Sequence, residues 1–400
     1  MNSSPLESKV LGRDSSFFEA DVEREWKHLE QVIGGSRILV IGAAGSIGGA
    51  FVRVLVGFRP SGLWLADPNE NNLVEVVRDL RSSGETLPDD FGTVAIGFGS
   101  PEFSAFIGSQ FCFDYVLNFA ALKHVRSERD PFTLMRLIDV NILANRQLID
   151  QCLKSGTRKV FAVSSDKAVN PCSLMGASKA FMERLFLSEA KAVSFSSARF
   201  ANVAFSDGSL LHGFLRRIEK RQPLSGPSDI RRFFINHREA GELCLLSCFA
   251  GNNREVFVPR MEPEEYLMFF SEIAERVLGF HGYKAVMCDS EEEALERAAA
   301  MKDSERLWPC YFSASNTSGE KPFEEFLGNR EEVDNSRYEA IRVITQPMKS
   351  GLREVEEACA SLGALRTSGK WEKSALVDII RSVVPELEYQ DLGVSLDQKM

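Results

Sequence analysis

SRILVIGAAGSIGGAFVRVLV, Ser36 to Val56, is a strand, a tight turn and a helix in one stretch. An apolar run, Ile38 to Ile41, enters GAAGSIG, and an apolar helical pattern leaves it. Gly42, Gly45 and Gly48 recur at a spacing of three. Gly42 permits the tight turn, Gly45 lets backbone approach a pyrophosphate, and Gly48 lets helix and strand pack closely. Ser46 and Ile47 open the helix, whose unpaired N–H groups suit phosphate oxygens. SGLWLADPN reads as the next strand and ends in Asp67. An acid at that place accepts hydrogen bonds from an adenosine ribose and repels a 2′-phosphate, which favours NAD over NADP. Asp67 also precedes Pro68, where Asp commonly initiates a turn, and the two roles are compatible.

Outward from this unit, strands and helices alternate. Thr93–Gly97 reads as a third strand and FDYVLNFAA, Phe113 to Ala121, as a fourth. TLMRLIDVNILANRQLIDQCLKSG is a helix, KVFAVSSD a fifth strand, MGASKAFMERLFLSEAKA a helix, and VSFSSARFANVAF a sixth strand. That order implies an α/β fold, a doubly wound parallel sheet of Rossmann type covered on both faces. Before it, FFEADVEREWKHLEQVI has helical periodicity. The expected organisation is a helical extension over 1–35 and a dinucleotide-binding domain over 36–205. A smaller substrate-facing region, partly interleaved with that domain, covers 206–330, and a helical extension covers 331–400.

Composition narrows the function classes. The 400 residues are 44% hydrophobic and 26% charged, as in an ordinary globular protein. A net charge of −10 argues against a general nucleic-acid binder, although a local basic cleft can hold phosphate. MNSSPLESKV has no apolar core of signal type, and no apolar run is long enough to span a bilayer. The expectation is a cytoplasmic chain with reduced thiols and no membrane span. The eight cysteines show no zinc-site spacing; Cys244 and Cys248 read as one packed helix face, and no metal site is expected. The acidic run CDSEEEALERAAAMKDSERL reads as a solvated helix.

Two stretches carry chemistry. In NFAALKHVRSERDP the small residues Ala120 and Ala121 let a nucleotide lie close, and Lys123 and His124 follow at the sheet's carboxyl edge. In SSDKAVNPCSLMGASK, Ser164 to Lys179, a hydroxyl, an acid and a base stand side by side as Ser165, Asp166 and Lys167. Met175 and Lys179 lie one helical turn apart further on. An adjacent acid and base suit an elimination: one group protonates the leaving hydroxyl while the other removes a carbon-bound proton. Asp166 must then carry a proton and Lys167 must be neutral.

GAAGSIG, NFAALKHV, VNILANRQLI, SSDKAVNPCSLMGASK, ARFANVAFSDGSLL and DIRRFFINHREA occur in order from about Ser36 to Leu246. Together they resemble the extended short-chain dehydrogenase/reductases, and most closely the bacterial UDP-N-acetylglucosamine 4,6-dehydratases of polysaccharide biosynthesis. The resemblance implies tightly held NAD and a UDP-sugar substrate. It implies oxidation at carbon 4, loss of water across carbons 5 and 6, and return of hydride to carbon 6. Met175 stands where the wider family has a tyrosine that takes the proton of the substrate hydroxyl. A thioether cannot do so, which leaves either Ser165 to relay the proton, to Lys179 or to water, or a route through the substrate itself. Lys179 would orient the nicotinamide ribose.

By the same resemblance Asn141 supports the active-site backbone, Asn202 and Ser209 line the sugar-nucleotide pocket, and Arg232 faces the diphosphate, with Arg231 turned to solvent. SGEKPFEEF resembles a nucleotide-binding turn that includes Glu320, with Thr317 in place of the family's arginine. Relatives of this kind self-associate, which implies a homo-oligomer. Two other readings stay open: a sugar-nucleotide 4-epimerase on the same scaffold, and a catalytically idle NAD-binding scaffold.

Overall fold

A computed structural model describes residues 4–109, 112–302, 304–315, 319–346 and 351–390. Thr317, Ser318 and the terminal LDQKM lie outside the described residues. Among the described residues the main sheet has nine strands. These are β1 (Arg37–Ile41), β2 (Gly62–Ala66), β3 (Asp90–Val94), β4 (Tyr115–Asn118), β5 (Lys159–Ser165), β6 (Ser194–Phe200), β7 (Glu255–Pro259), β8 (Glu332–Asp334) and β9 (Ile341–Gln346). Their spatial order is β8-β9-β7-β6-β5-β4-β1-β2-β3. The strands from β7 to β3 pair in parallel, while β9 runs antiparallel to both β7 and β8.

The chain leaves β1 for β2 and β3 on one side, then crosses to β4 on the other. The order therefore reverses between β1 and β4, the place where doubly wound sheets open a ligand crevice beyond their carboxyl ends. Ile41 pairs with Asn118 there, so the glycine turn and the end of β4 are neighbours.

Both faces of the sheet are covered, which is why β1 is apolar and buried from Ile38 to Ile41. Ile38 and Val40 join the core that holds Phe51, Leu55, Phe161 and Phe257. Leu39 and Ile41 face the opposite core, with Val116, Val160, Phe181 and Leu185. The helix Ser46–Val56 packs closely on the helix His237–Leu245: a Cβ on Gly241 would lie 2.9 Å from the Ala50 carbonyl oxygen. Cys244 and Cys248 are both buried on this side. Helices Leu352–Ser368 and Lys373–Val383 pack on the long helix Leu174–Glu189.

Several boundaries differ from the sequence reading for identifiable reasons. The third strand is Asp90–Val94 rather than Thr93–Gly97, because Gly92 makes room for the Trp64 ring of β2. The helix after β4 is interrupted by a wide turn, Asp139–Leu143, between Pro131–Ile138 and Ala144–Ser155. The sixth strand stops at Phe200, and Asn202–Val203 pairs separately with Phe234–Ile235. The chain beyond Ser206 also returns to the main sheet through β7, and the segment from 331, expected to be helical, first supplies β8 and β9. A second sheet, Leu224–Pro227 with Lys284–Met287 and Leu307–Ser313, carries its own core around Leu224, Ile273, Val277 and Trp308. Glu19–Gly34 is helical as its periodicity requires, and a short helix, Pro5–Leu11, precedes it on a capping box from Ser4 to Glu7.

Candidate active site

The glycine turn separates two kinds of glycine. Gly42 has φ +74°, and a Cβ there would lie 2.6 Å from the Ala120 nitrogen. A Cβ on Gly48 would lie 2.1 Å from the Gly42 carbonyl oxygen. These two are demanded by the chain itself. Gly45 has an ordinary backbone conformation at the helix N-cap, and its Cβ would touch only Gly42 O, at 3.4 Å. Its missing side chain leaves the outer face of the turn open to a ligand. Ala44 N–H donates to Asp67 Oδ2 at 3.0 Å, and Asn69 N–H donates to Oδ1 at 2.8 Å. Asp67 thus ties the glycine turn to the turn after β2, and each oxygen keeps a further lone pair. Ser46 Oγ donates to Asp207 Oδ2 at 3.0 Å and accepts from Asp207 N–H at 2.9 Å, linking the helix start to the SDGS loop.

The end of β4 is held from beneath. Asn118 Oδ1 accepts from Ala120 N–H at 2.9 Å. Asn141, 1% exposed, accepts from Leu122 N–H at 2.9 Å and donates to Leu122 O at 3.0 Å and to Ser178 Oγ at 2.9 Å. Asn141 is therefore a clamp on the backbone that carries Ala121 and Lys123; its side chain is spent on protein groups.

At the end of β5, one carboxylate oxygen collects both neighbours. Ser165 Oγ donates to Asp166 Oδ1 at 2.9 Å, and Lys167 Nζ donates to the same oxygen at 3.0 Å. Asp166 is buried beneath, while Ser165 and Lys167 keep part of their surface open. A residue that the sequence reading passed over completes the group. Glu324 is buried, with Oε1 at 3.9 Å from both Lys167 Nζ and an Arg232 guanidinium nitrogen, and Oε2 at 3.6 Å from Lys321 Nζ. Asp166 Oδ2 and Glu324 Oε2 are buried and accept no hydrogen bond from the protein. Burial raises the Glu324 pKa above its usual range; Lys167 opposes this, Asp166 adds to it, and Arg232 and Lys321 oppose it.

Helix Leu174–Glu189 starts on Ser173, whose side chain caps Gly176 N–H, and its first turn presses on this group. Met175 is buried and its N–H donates to Glu128 Oε1 at 2.7 Å. One turn on, buried Lys179 donates to the Val163 carbonyl at 2.8 Å. Burial lowers its pKa to about 8, against an opposing pull from Glu183. Ser165 thus hands its hydrogen bond to Asp166, whereas Lys179 bonds to the backbone of β5.

A cleft of about 1120 Å³ opens between the loop after β4 and the second sheet. Lys123, His124, Ser209 and Glu320 line it, together with Arg217 and Tyr311. Lys123 and His124 have exposed surface but are ringed by the cleft walls, and this desolvation lowers both pKa values; Asp207 opposes it for Lys123, and Lys123 and Arg126 reinforce it for His124. Gly208, at φ +70°, lets the His124 ring pack within 2.9 Å of where a Cβ would stand. Asn141, Asn202 and Arg232 are not among the described residues of this wall. Asn202 N–H donates to Phe233 O at 3.0 Å. Arg232, expected at a diphosphate, is buried and donates to the carbonyls of Arg231 and Lys321, both at 2.9 Å, beside Glu324. Arg231, expected in solvent, is half-buried near the rings of Phe269 and Phe323.

The chain is similar to known proteins along much of its length. The chain is 32% identical over 62% of its length to a Methanocaldococcus jannaschii protein named an uncharacterized membrane protein, of which it covers 73%. Among the described residues no helix is long and apolar enough to cross a membrane. It is 29% identical to the capsular polysaccharide biosynthesis protein CapD of Staphylococcus aureus over 62% of this chain, but spans only 41% of that protein. It is 27% identical to a UDP-N-acetylglucosamine 4,6-dehydratase (inverting) of Campylobacter jejuni, over 58% of this chain and 68% of that one. Among solved structures, Pen from Bacillus thuringiensis superposes with a TM-score of 0.64 at 20% identity, over 80% of this chain and 90% of that one. The UDP-glucose 4-epimerase of Thermotoga maritima superposes with a TM-score of 0.56 at 18% identity, over 74% and 90%. At these identities the superpositions establish the shared Rossmann-type fold. A family model described as polysaccharide biosynthesis protein matches residues 38–346, so this chain belongs to that family.

Proposed function

We propose that the protein is an NAD-dependent 4,6-dehydratase of a UDP-N-acetylhexosamine, with UDP-N-acetylglucosamine the first substrate to test. The observation that carries this reading is the shared hydrogen bonding of Ser165 and Lys167 to one oxygen of Asp166 at the carboxyl end of β5. A dehydratase needs an acid and a base on neighbouring atoms of the substrate; a plain 4-epimerase has no use for that pair.

The open outer face at Gly45, the N–H groups of Ser46 and Ile47 and the position of Asp67 fit a dinucleotide at the switch point between β1 and β4. NAD bound there would accept hydride from carbon 4 and return it to carbon 6. The chain's own residues move the protons. Ser165 takes the proton of the carbon-4 hydroxyl and passes its own to Asp166, which fills the role that Met175 cannot. Lys167 removes the proton on carbon 5, made acidic by the new ketone. Asp166 supplies the proton with which the carbon-6 hydroxyl leaves as water. Because Asp166 is covered, that delivery runs back through Ser165 or follows rotation of its side chain. Lys123, His124, Ser209 and Glu320 line the cleft for the sugar nucleotide.

Support from relatives is consistent with this chemistry, since one is named a dehydratase of the same sugar nucleotide. The test is turnover of UDP-N-acetylglucosamine by the purified protein with catalytic NAD. The expected product has lost one water, and Asp166→Asn should abolish its formation.

A further inference from the structure

We infer that Glu324 is the proton store of Lys167, a third ionisable member of the Ser165–Asp166–Lys167 group that makes the lysine a base at the start of each cycle and recharges it at the end. This rests on the dehydratase reading above. In the resting arrangement Lys167 donates to Asp166, an ion pair in which the lysine carries the proton it would have to lack as a base. Something nearby must take that proton, and among the described residues Glu324 is the further carboxyl that pairs with Lys167. Glu324 Oε1 is 3.9 Å from Lys167 Nζ, a separation that a small movement on substrate binding closes to a hydrogen bond. Glu324 Oε2 is buried and accepts no hydrogen bond, so its ion pairs with Lys321 at 3.6 Å and Arg232 at 3.9 Å are looser than the hydrogen-bonded Glu183–Arg199 and Arg13–Glu239 pairs.

The proton count closes. As the carbon-4 C–H bond breaks and hydride leaves for the nicotinamide cofactor, the hydroxyl proton passes through Ser165 to Asp166. Asp166 is then neutral, and Lys167 gives one N–H proton to Glu324. Neutral Lys167 takes the carbon-5 proton, the carbon-6 C–O bond breaks, and the hydroxyl leaves with the proton from Asp166. Hydride then adds to carbon 6. Lys167 returns its proton to carbon 5, or to solvent if carbon 5 is protonated from the other face. Glu324 returns its own to Lys167, and all three groups regain their starting charge.

The charged groups facing Glu324 fit the task. Lys167 and Asp166 approach from the end of β5, Arg232 from the strand Arg231–Arg232, and Lys321 from the same loop. The two fixed cations keep an anionic Glu324 tolerable in a buried site, while desolvation shifts its pKa upward, toward the protonated form.

Two measurements test the inference. Glu324→Gln keeps the shape and cannot accept the proton. In single turnovers in D2O, the variant should form the 4-keto sugar nucleotide without losing water and without exchange at carbon 5. Its steady-state kcat should fall about 100-fold with little change in KM. A Glu324→Gln enzyme with the wild-type kcat and pH profile overturns the inference. The second measurement needs no turnover: carboxyl 13C NMR of glutamate-labelled protein, with the Glu324 signal identified by its loss in Glu324→Gln. Replacing Lys167 by Met should move the Glu324 titration to higher pH, because a neighbouring positive charge is removed; an unmoved titration overturns the inference even if Glu324→Gln fails to fold. Absence of any turnover by the wild-type protein defeats the dehydratase assignment instead, and the NMR result then decides the Glu324–Lys167 coupling alone.

Discussion

Gly176 lies against the backbone of Lys167 so closely that a Cβ on it would stand 2.2 Å from the Lys167 carbonyl oxygen. The helix that carries Met175 and Lys179 is thereby seated on the segment that presents Asp166 and Lys167. Gly176→Ala should push the two apart. Overpacking of this kind costs about 1–3 kcal/mol, so the variant should melt lower by calorimetry. It should also lose turnover under conditions where it is fully folded. Unchanged melting would show that the helix start adjusts freely.

Ser165 is the group proposed to replace the tyrosine. Ser165→Ala should lower kcat about 100-fold, within the usual reach of a lost proton-transfer group, with KM nearly unchanged. Met175 sits one turn before Lys179, so Met175→Tyr placed in the Ser165→Ala background should recover part of the loss. Full activity in Ser165→Ala alone would remove Ser165 from the mechanism.

The three glycines of the turn should respond differently. Gly48→Ala meets the Gly42 carbonyl oxygen at 2.1 Å and should destabilise the fold. Gly45→Ala meets the same oxygen only at 3.4 Å and should fold normally. It should nevertheless bind NAD more weakly by calorimetric titration, because the new methyl group stands where a pyrophosphate would approach. Equal NAD affinity in Gly45→Ala and wild type would contradict the assigned cofactor site.

Lys179 links stability to pH. Its folded pKa is depressed, to about 8 from 10.5. Between those values the unfolded chain binds the proton more readily than the folded one, so stability from this residue is fully present above about pH 10.5 and is lost as pH falls toward 8. The difference amounts to about 3 kcal/mol. Denaturant unfolding at pH 8 and pH 10 should show a smaller loss on lowering the pH for Lys179→Met than for wild type. Parallel pH dependence in the two proteins would mean that the lysine titrates as if solvated.

What was legible in the sequence was local. The strand, glycine turn and helix around Gly42 lie within one short stretch, and their periodicity and turn chemistry are written in neighbouring residues. Ser165, Asp166 and Lys167 are consecutive, so a strand end is enough to bring them together. The strands β7, β8 and β9 were not legible as part of the main sheet because β7 joins it through β6 and β9 through β7, partners far away in the chain, while β8 pairs only with nearby β9. Glu324 and Glu325 are adjacent and chemically identical, and only the path of the loop turns Glu324 inward and leaves Glu325 exposed. Arg232 shows the same limit: a resemblance supplied its expected partner, whereas the fold surrounds it with the Arg231 and Lys321 carbonyls and Glu324.

The most direct test of the central claim is mass spectrometry of UDP-N-acetylglucosamine after incubation with the purified protein and catalytic NAD. Loss of one water with no net NADH is the result the proposed Ser165–Asp166–Lys167 mechanism predicts. An unchanged mass with a new sugar isomer by NMR would contradict it and point to a 4-epimerase.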